Sequence, residues 1–369
     1  MKNEPKFTAK VHKTVTGIGK DGWDSVFEPH PEGYGFFKTI DETLTGQFKP
    51  YYISIYESDD LICIAPCFIA DYDLSTTLDE GLLKKTVRII RKALPRFFII
   101  RIFACGSPLS EGKLGIKPGF NGARLITTLL SEMNDLAKKE GAPFVVFRDF
   151  WKAYEEMLDP LTKEGFHKVT SIPSTKLDTS FPSFDDYFST LSKATKIDLR
   201  RKFKRAAAKA KIDVEVRDEL GGLLDEAYAL YLSNIDASEM TFEIITKDFL
   251  SVISKNMPGE VKYILLTIDK KLVGFQQCLI RGGMLSGEYL GLDYKIAYDY
   301  HLYFVLMRET INFCIKNRLS CYDAGALSYD PKKRLDFKFI PQYIYVRHSN
   351  RAVNFLFGFV IEILKPREG

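Results

Sequence analysis

Apolar positions along this chain fall into two series of short β-type runs interleaved with amphipathic helical stretches. Residues 51–56 and 61–70 are rich in β-branched and aromatic residues, and Ser58, Asp59 and Asp60 between them predict a hairpin. Residues 96–104 form a third run. After a Gly/Pro-containing loop, Leu125, Ile126, Leu129, Leu130, Met133 and Leu136 recur at helical spacing. They predict a helix over 122–139, with Asn121 placed to cap it and Gly141 to end it. Residues 143–147 then read as a strand, 151–163 as a helix and 165–169 as a returning strand.

A second series starts after a break near 180–183, where Pro182 and clustered Ser and Thr interrupt the pattern. Helical patterns cover 184–211 and 222–233. The runs 261–268, 271–280 and 284–292, separated by Asp269-Lys270 and Gly282-Gly283, predict a three-stranded meander. A helix over 299–316 carries Leu302, Val305, Leu306, Ile311 and Cys314 toward one side; 320–323 is a short strand and 342–348 the last one. The order of elements has repeated. The expectation is an α/β (α+β) chain of two similar domains, 1–180 and 181–369.

With 369 residues, 46% apolar and 27% charged, the chain is globular, which excludes collagen-like, disulfide-dense and disordered classes. Six cysteines lie scattered in apolar runs without CxxC pairs or a histidine at zinc-ligand spacing, so buried thiols and no metal are expected. The amino-terminal MKNEPKFTAK lacks the apolar core of a secretion signal. The longest apolar stretch, 355–364, is too short for a membrane span and contains Glu362. No transmembrane segment and a cytoplasmic location are expected.

The net charge of +4 is too small to make the whole chain a polyanion binder, but its distribution is uneven. Residues 193–211 hold nine Lys or Arg against Asp198, a local net of +8, with Arg200, Arg201, Lys204 and Arg205 at the centre. Such a helix suits tRNA or another nucleic acid, an anionic substrate such as a nucleotide-linked cell-wall precursor, or a membrane surface. It equally suits a solvated face. Aromatics for base stacking are sparse in it.

Strand meander, long strand, helix, strand and returning hairpin strand, present twice, resembles the GNAT acyltransferase fold in the double-GNAT arrangement of FemAB-like acyltransferases. Leu161-Thr162-Lys163-Glu164-Gly165-Phe166 is similar to the GNAT segment in which a helix ends at Gly-Phe before the last hairpin. Tyr322-Asp323-Ala324-Gly325, followed by Lys338 in Asp336-Phe337-Lys338-Phe339, is similar to the Asp-x-Gly and Tyr/Phe-Lys pattern that ends the catalytic half. The basic helix is similar to the one leading into that half. The resemblance spans about residues 20–350. It implies two GNAT-like domains, each a mixed, mostly antiparallel sheet flanked by helices. It also implies transfer of an acyl or aminoacyl group to a small-molecule or peptide amine by direct attack, with acyl-CoA, chiefly acetyl-CoA, as co-substrate. The alternatives are a peptidoglycan-type transferase fed by aminoacyl-tRNA and a catalytically silent module that binds an anionic ligand or partner.

GNAT enzymes cradle the coenzyme A pyrophosphate on backbone N–H groups of an Arg/Gln-x-x-Gly-x-Gly/Ala loop opening a helix, where glycines allow close approach. The equivalent second-series stretch, 293–300, has no glycine. In the first series, Lys117-Pro118-Gly119-Phe120-Asn121-Gly122 supplies Lys117, Gly119 and Gly122 as candidate contacts, but it keeps the basic residue and only one in-register glycine, with Phe120 where the other should lie, half of the motif.

The chemistry implied needs a base, because an amine with an ordinary pKa near ~10.4 is mostly protonated at neutral pH. Glu288 stands mid-strand between apolar neighbours, an uncommon place for a carboxylate, and suits a base, a substrate contact or a solvent-facing strand position. Asp323, at a strand end beside Gly325, is the other candidate base, or an ordinary strand-end carboxylate. Lys338 would balance a phosphate or an oxyanion, or simply face outward between Phe337 and Phe339. Tyr294 and Tyr329 are candidate acids for the leaving group. The backbone of Leu290, Gly291 and Leu292 would hold the acyl carbonyl, and His301, in the first turn of the predicted helix, would reach a phosphate or pack. No histidine shares triad spacing with a nucleophile, and Gly106-Ser107-Pro108-Leu109-Ser110 fails the Gly-x-Ser-x-Gly pattern, so hydrolase readings lose.

Overall fold

The computed structural model describes residues 7–73, 99–120, 122–236 and 243–364. The chain forms two compact units: Met1–Glu28, Thr45–Ile172 and Pro341–Gly369 make the first, and Pro29–Leu44 with Pro173–Ile340 the second. This differs from a single division at residue 180. The chain changes units inside a strand, and the last strand and helix return to the first unit.

In the first unit, β1 (Phe7–His12), β2 (Lys49–Glu57), β3 (Asp60–Asp73) and β4 (Ile99–Cys105) form an antiparallel meander. The expected hairpin joins β2 and β3, with Ser58 at φ 58 in the turn. Strand β5 (Gly115–Ile116) adds a short pairing to β3. Strand β6 (Phe144–Trp151) lies parallel to β4, and β13 (Lys338–His348) sits between β6 and β7 (His167–Asp178). The helix Gly122–Lys139 buries Leu125, Ile126, Leu129, Leu130 and Met133 against Ile53, Phe103 and Phe147, the stripe its periodicity predicts. The predicted helix over 151–163 is present as three short successive helices, Lys152–Tyr154, Glu155–Leu158 and Asp159–Glu164, the last opening at Pro160, which withholds the amide a single regular helix would need. Gly165 at φ 84 ends it in the left-handed conformation.

The returning strand read over 165–169 is longer in the structure, where β7 runs on unbroken past Pro173 to Asp178, just short of the break near 180–183. Its Ser174 and Thr175 are both buried and their hydroxyls have acceptors, so polar groups survive inside the strand. The second unit continues from this strand in the order β7, β12 (Cys321–Asp323), β11 (Met284–Leu292), β10 (Lys271–Arg281), β9 (Val261–Ile268) and β8 (Asp213–Arg217). Strands β9, β10 and β11 form the predicted meander, while β12 runs parallel to β11. On one face, the helix Leu302–Lys316 buries Leu302, Val305, Leu306, Ile311 and Cys314. It starts three residues later than expected because His301 adopts φ 50.

The pattern over 184–211 resolves into two helices, Phe184–Thr190 and Lys193–Lys209. The Ser192 hydroxyl accepts from the Thr195 amide and starts the second. Strands β1 and β8 and the helices Lys20–Asp24, Tyr34–Thr43 and Lys247–Asn256 have no counterpart in the sequence reading.

Candidate functional site

Parallel strands β11 and β12 pair over only three residues, from Met284 opposite Cys321 to Ser286 opposite Asp323, and then part. On its other edge β11 pairs with β10, but Gln276 faces Leu290 while Cys278 faces Gly287. One extra residue is therefore bulged at Glu288–Tyr289, and a bulge redirects side chains and ends pairing. A buried polar network fixes the point of parting: Gln276 Nε2 donates to the Tyr322 hydroxyl at 2.8 Å, and the Thr310 hydroxyl donates to Gln276 Oε1 at 2.8 Å. A Cβ on Gly287 would lie 2.2 Å from Gln276 Nε2, so glycine is required there for the network to form.

A cavity of about 630 Å³ lies where the end of β11 and the segment after it face the turn beyond β12. Leu292, Tyr294, Tyr298 and His301 line one side, Phe304 comes from the Leu302–Lys316 helix, and residues 328–331 close the other. The Tyr294 hydroxyl donates to Asn234 Oδ1 at 2.6 Å, and burial followed by the nearby Tyr298 raises its pKa. As a leaving-group acid, Tyr294 is thus held in its protonated form. A smaller cavity of about 410 Å³ shares Tyr298 and His301 and adds Arg205, Lys209 and Asp299. Burial, then the cationic Lys202 and Arg205, push the His301 imidazole below its ordinary value and keep it neutral at pH 7.

The segment over 293–301 is closed on itself. The amides of Ile296 and Ala297 donate to the Asp293 carbonyl, that of Tyr300 to Ile296 and that of His301 to Tyr298, while the Lys295 amide donates to Asp293 Oδ1. These groups do not form a backbone cradle for a pyrophosphate, in keeping with the missing glycines. Positive charge comes from side chains instead. In the Lys193–Lys209 helix, Arg200, Arg201, Lys204 and Arg205 are all exposed. Arg201 pairs with Asp198 at 2.6 Å and Arg200 lies over the Phe188 ring, whereas Lys204 and Arg205 have no carboxylate partner among the described residues.

Asp323 is buried, and its carboxylate already takes three donors: the Gly325 amide at 2.9 Å, the Ser174 hydroxyl at 3.3 Å and the Lys176 ammonium at 3.2 Å. With its oxygens so engaged, the carboxylate anchors the turn after β12. Below that turn lies a residue that sequence reading missed. The buried Lys332 ammonium donates to the carbonyls of Ala324, Gly325 and Ala326 at 2.6, 3.1 and 3.0 Å. Burial brings its pKa down to about 7, opposed by Asp323. In the folded protein Lys332 therefore releases its proton at lower pH than in the unfolded chain, so stability should climb with pH between about 7 and the ordinary 10.5. Unfolding of wild type and Lys332→Met across that interval checks this: the wild type should gain relative to the variant as pH rises, and a constant difference would mean that the ammonium stays charged.

Glu288 is half-buried at the bulge. Leu290 and Leu292 pack into the core, and Gly291 is covered on its open side by the helix Leu224–Asp236, whose Leu230 and Tyr231 backbone atoms would lie 2.6 Å from a Cβ. Lys338 is exposed at the start of β13, where its charge helps hold the Asp178 carboxyl low after the larger effect of the Ser180 hydrogen bonds; it does not line either cavity. Tyr329 lines the larger cavity and donates to the Pro173 carbonyl at 2.8 Å. In the first unit Lys117 pairs with Asp60 at 2.6 Å. Gly119 has φ 90 in an open turn, and a Cβ on Gly122 would strike Met157 at 2.5 Å. Of the expected site residues, Leu292, Tyr294, His301 and Tyr329 thus share the larger cavity, while Glu288, Asp323 and Lys338 do not line it.

Residues 14–352 match the FemAB-like family, described as peptidoglycan biosynthesis/recognition. The chain belongs to this family. Its fold is the tandem GNAT fold. The structure of FemX is similar over 96% of this chain and 100% of its own, with a TM-score of 0.61 and 11% identity. A tandem GNAT protein from the clavulanic acid biosynthesis pathway covers 94% and 99% at a TM-score of 0.54 and 10% identity. The C-terminal domain of an Agrobacterium fabrum protein named as a lysylphosphatidylglycerol synthetase covers 95% of both chains at 0.54 and 11%. Curated protein sequences give no match. Family and fold together support an acyl- or aminoacyltransferase. Among the described residues no helix is long and apolar enough to cross a membrane, and no group of three His, Cys, Asp or Glu is placed to hold a metal ion.

Proposed function

We propose that this FemAB-like protein transfers an acyl or aminoacyl group from an ester or thioester on an anionic carrier to an amine. The carrying observation is that β11 pairs with β12 only as far as Ser286 opposite Asp323 and bulges at Glu288–Tyr289, while its end at Leu292 lines the larger cavity, which shares Tyr298 and His301 with the one edged by Arg205 and Lys209. Where β12 no longer pairs, the peptide groups of 288–292 that do not bond β10 face the open side, and one of them would hold the acyl carbonyl. The half-buried Glu288 takes the proton from the ammonium form of the acceptor. The neutral nitrogen attacks the carbonyl carbon, the C–N bond forms, the C–O or C–S bond to the carrier breaks, the Tyr294 hydroxyl protonates the departing oxygen or sulfur, and the proton that the newly bonded nitrogen sheds restores the phenol, while Glu288 returns its own proton to solvent. The acceptor that the family description supports is the peptide amine of a peptidoglycan precursor.

Side chains rather than backbone amides would hold the donor's phosphates, with Arg205 and Lys209 the nearest. That favours a large polyanionic donor, aminoacyl-tRNA, lying along Arg200, Arg201, Lys204 and Arg205, over acyl-CoA, whose usual backbone cradle is not formed. The Arg205→Ala/Lys209→Ala variant should raise the donor KM about tenfold with little change in kcat and flatten its salt dependence. Steady-state transfer from acetyl-CoA and from aminoacyl-tRNA, measured separately, decides the donor. No transfer from either, with polyanion binding retained, would favour a silent binding module.

A further inference from the structure

The two cavities of the second unit differ in chemistry and share a wall. The larger is walled by the rings of Tyr294, Tyr298, Tyr303, Phe304 and Tyr329, with Leu292 at the end of β11. The smaller carries the cations: Lys209 pairs with Asp299 at 3.4 Å, while Arg205 has no carboxylate partner among the described residues. Tyr298 and His301 line both. Tyr298 is 79% exposed and meets Tyr294 only at a tilt, with ring centroids 6.1 Å apart, so a flat ligand can stack on it. An aromatic recess that shares a wall with fixed positive charge is the complement of a base joined to a phosphate. We propose that the two cavities together bind a nucleoside 5′-phosphate, with the base on Tyr298 in the larger and the phosphate at Arg205 and Lys209 in the smaller.

The order of the groups selects the ester this nucleotide carries. Leu292 brings the end of β11 to the larger cavity and not to the smaller. Outward from β11 the site therefore offers an acyl position, then the aromatic recess, then the cations. An acyl group on a ribose hydroxyl of a nucleoside 5′-phosphate has the same order: acyl, nucleoside, phosphate. In a coenzyme A thioester the pyrophosphate comes before the adenosine, so its base would lie beyond the cations. An apolar chain would fill the recess but leave Arg205 unmatched. Asp330, which also lines the larger cavity, repels phosphate from it and accepts from hydroxyl or amino groups of a nucleoside. The proposal rests on the transferase reading for the acyl position at β11 and for the phosphate at Arg205 and Lys209.

The test is equilibrium dialysis of the full chain with AMP, adenosine and inorganic phosphate, none of which needs transfer to occur. AMP should bind at least about tenfold more tightly than either part. Tyr298→Ala should weaken AMP and adenosine about tenfold and leave phosphate alone, whereas Tyr298→Phe should bind as the wild type does. Arg205→Ala/Lys209→Ala should weaken AMP and phosphate about tenfold and leave adenosine alone. An aminoacyl group joined by an amide to the ribose 3′ position should not weaken AMP; a tenfold loss would overturn the order of groups. A short RNA ending in adenosine that binds more tightly than AMP at low salt assigns the nucleotide to an RNA end, and equal affinities assign it to a free nucleotide. AMP no tighter than phosphate, or AMP indifferent to Tyr298→Ala, would overturn the proposal, and the transferase would survive this if its donor KM still responded to Arg205→Ala/Lys209→Ala. The expected binding pattern without transfer from any donor would keep the nucleotide site and remove the transferase.

Discussion

Glu288→Gln should lower kcat about 100-fold while leaving the donor KM nearly unchanged, because a positioned base typically contributes about 10²–10⁴-fold and the amide keeps the side chain's shape. Glu288 sits at the β11 bulge, where pairing with β12 has ended, and it is half-buried, so its carboxylate is not lost in bulk solvent. Asp323 is the control. It already accepts from Gly325, Ser174 and Lys176, so Asp323→Asn should act chiefly on stability, and its effect on turnover should follow the loss of folded protein. Steady-state kinetics combined with an unfolding curve for each variant separates the two roles. If Asp323→Asn, fully folded, lost turnover while Glu288→Gln kept it, the base would have been assigned to the wrong carboxylate.

Gly291→Ala should destabilise the second unit by about 3 kcal/mol, lowering its unfolding midpoint by roughly 6–12 °C. Here the neighbours decide the size of the effect. A new Cβ would meet backbone atoms of Leu230 and Tyr231 and the Phe275 ring, all near 2.6 Å. Backbone in a packed helix cannot swing aside as a flexible side chain can, so the helix Leu224–Asp236 must lift from β11. Gly222, with open space around its Cβ position, provides the comparison: Gly222→Ala should change the midpoint little. Calorimetry of the two variants checks the prediction, and equal midpoints would mean that the helix yields at little cost.

The parts of this architecture that were readable in the sequence were those whose local pattern had one structural solution. The Gly122–Lys139 helix carries an uninterrupted stripe, and Asp269-Lys270 and Gly282-Gly283 leave the β9–β10–β11 meander no other turns. Boundaries failed where tertiary partners overrode local signals. The strand read over 165–169 runs on through Ser174 and Thr175, whose hydroxyls bond Asp323 and the Gly325 carbonyl, so one strand carries the chain from the first unit into the second. Short elements such as Tyr34–Thr43 also escaped; that helix is stabilised by packing against Lys247–Asn256, as where Phe36 meets Phe249, rather than by a long periodic pattern of its own.

The site divides in the same way. Glu288 was visible as a carboxylate in an apolar run, and the missing glycines of 293–300 correspond to a segment whose amides bond one another. Lys332 gave no signal, because a lysine in a basic, polar stretch looks solvated until three carbonyls are found around its ammonium. Arg205 was legible only as part of a charged helix. Its place beside Lys209 and His301 depends on how that helix packs, which no local spacing encodes.

The most direct measurement is a crystal structure of the protein with a non-transferable donor analogue, either an acyl-CoA thioether or an amide-linked aminoacyl nucleotide. The account predicts the acyl carbonyl between the Glu288–Tyr289 bulge and the turn after Asp323, with the analogue's phosphates beside Arg205 and Lys209. An analogue seated instead at the Lys117–Gly122 turn of the first unit, or one bound with the gap between β11 and β12 left empty, would contradict it.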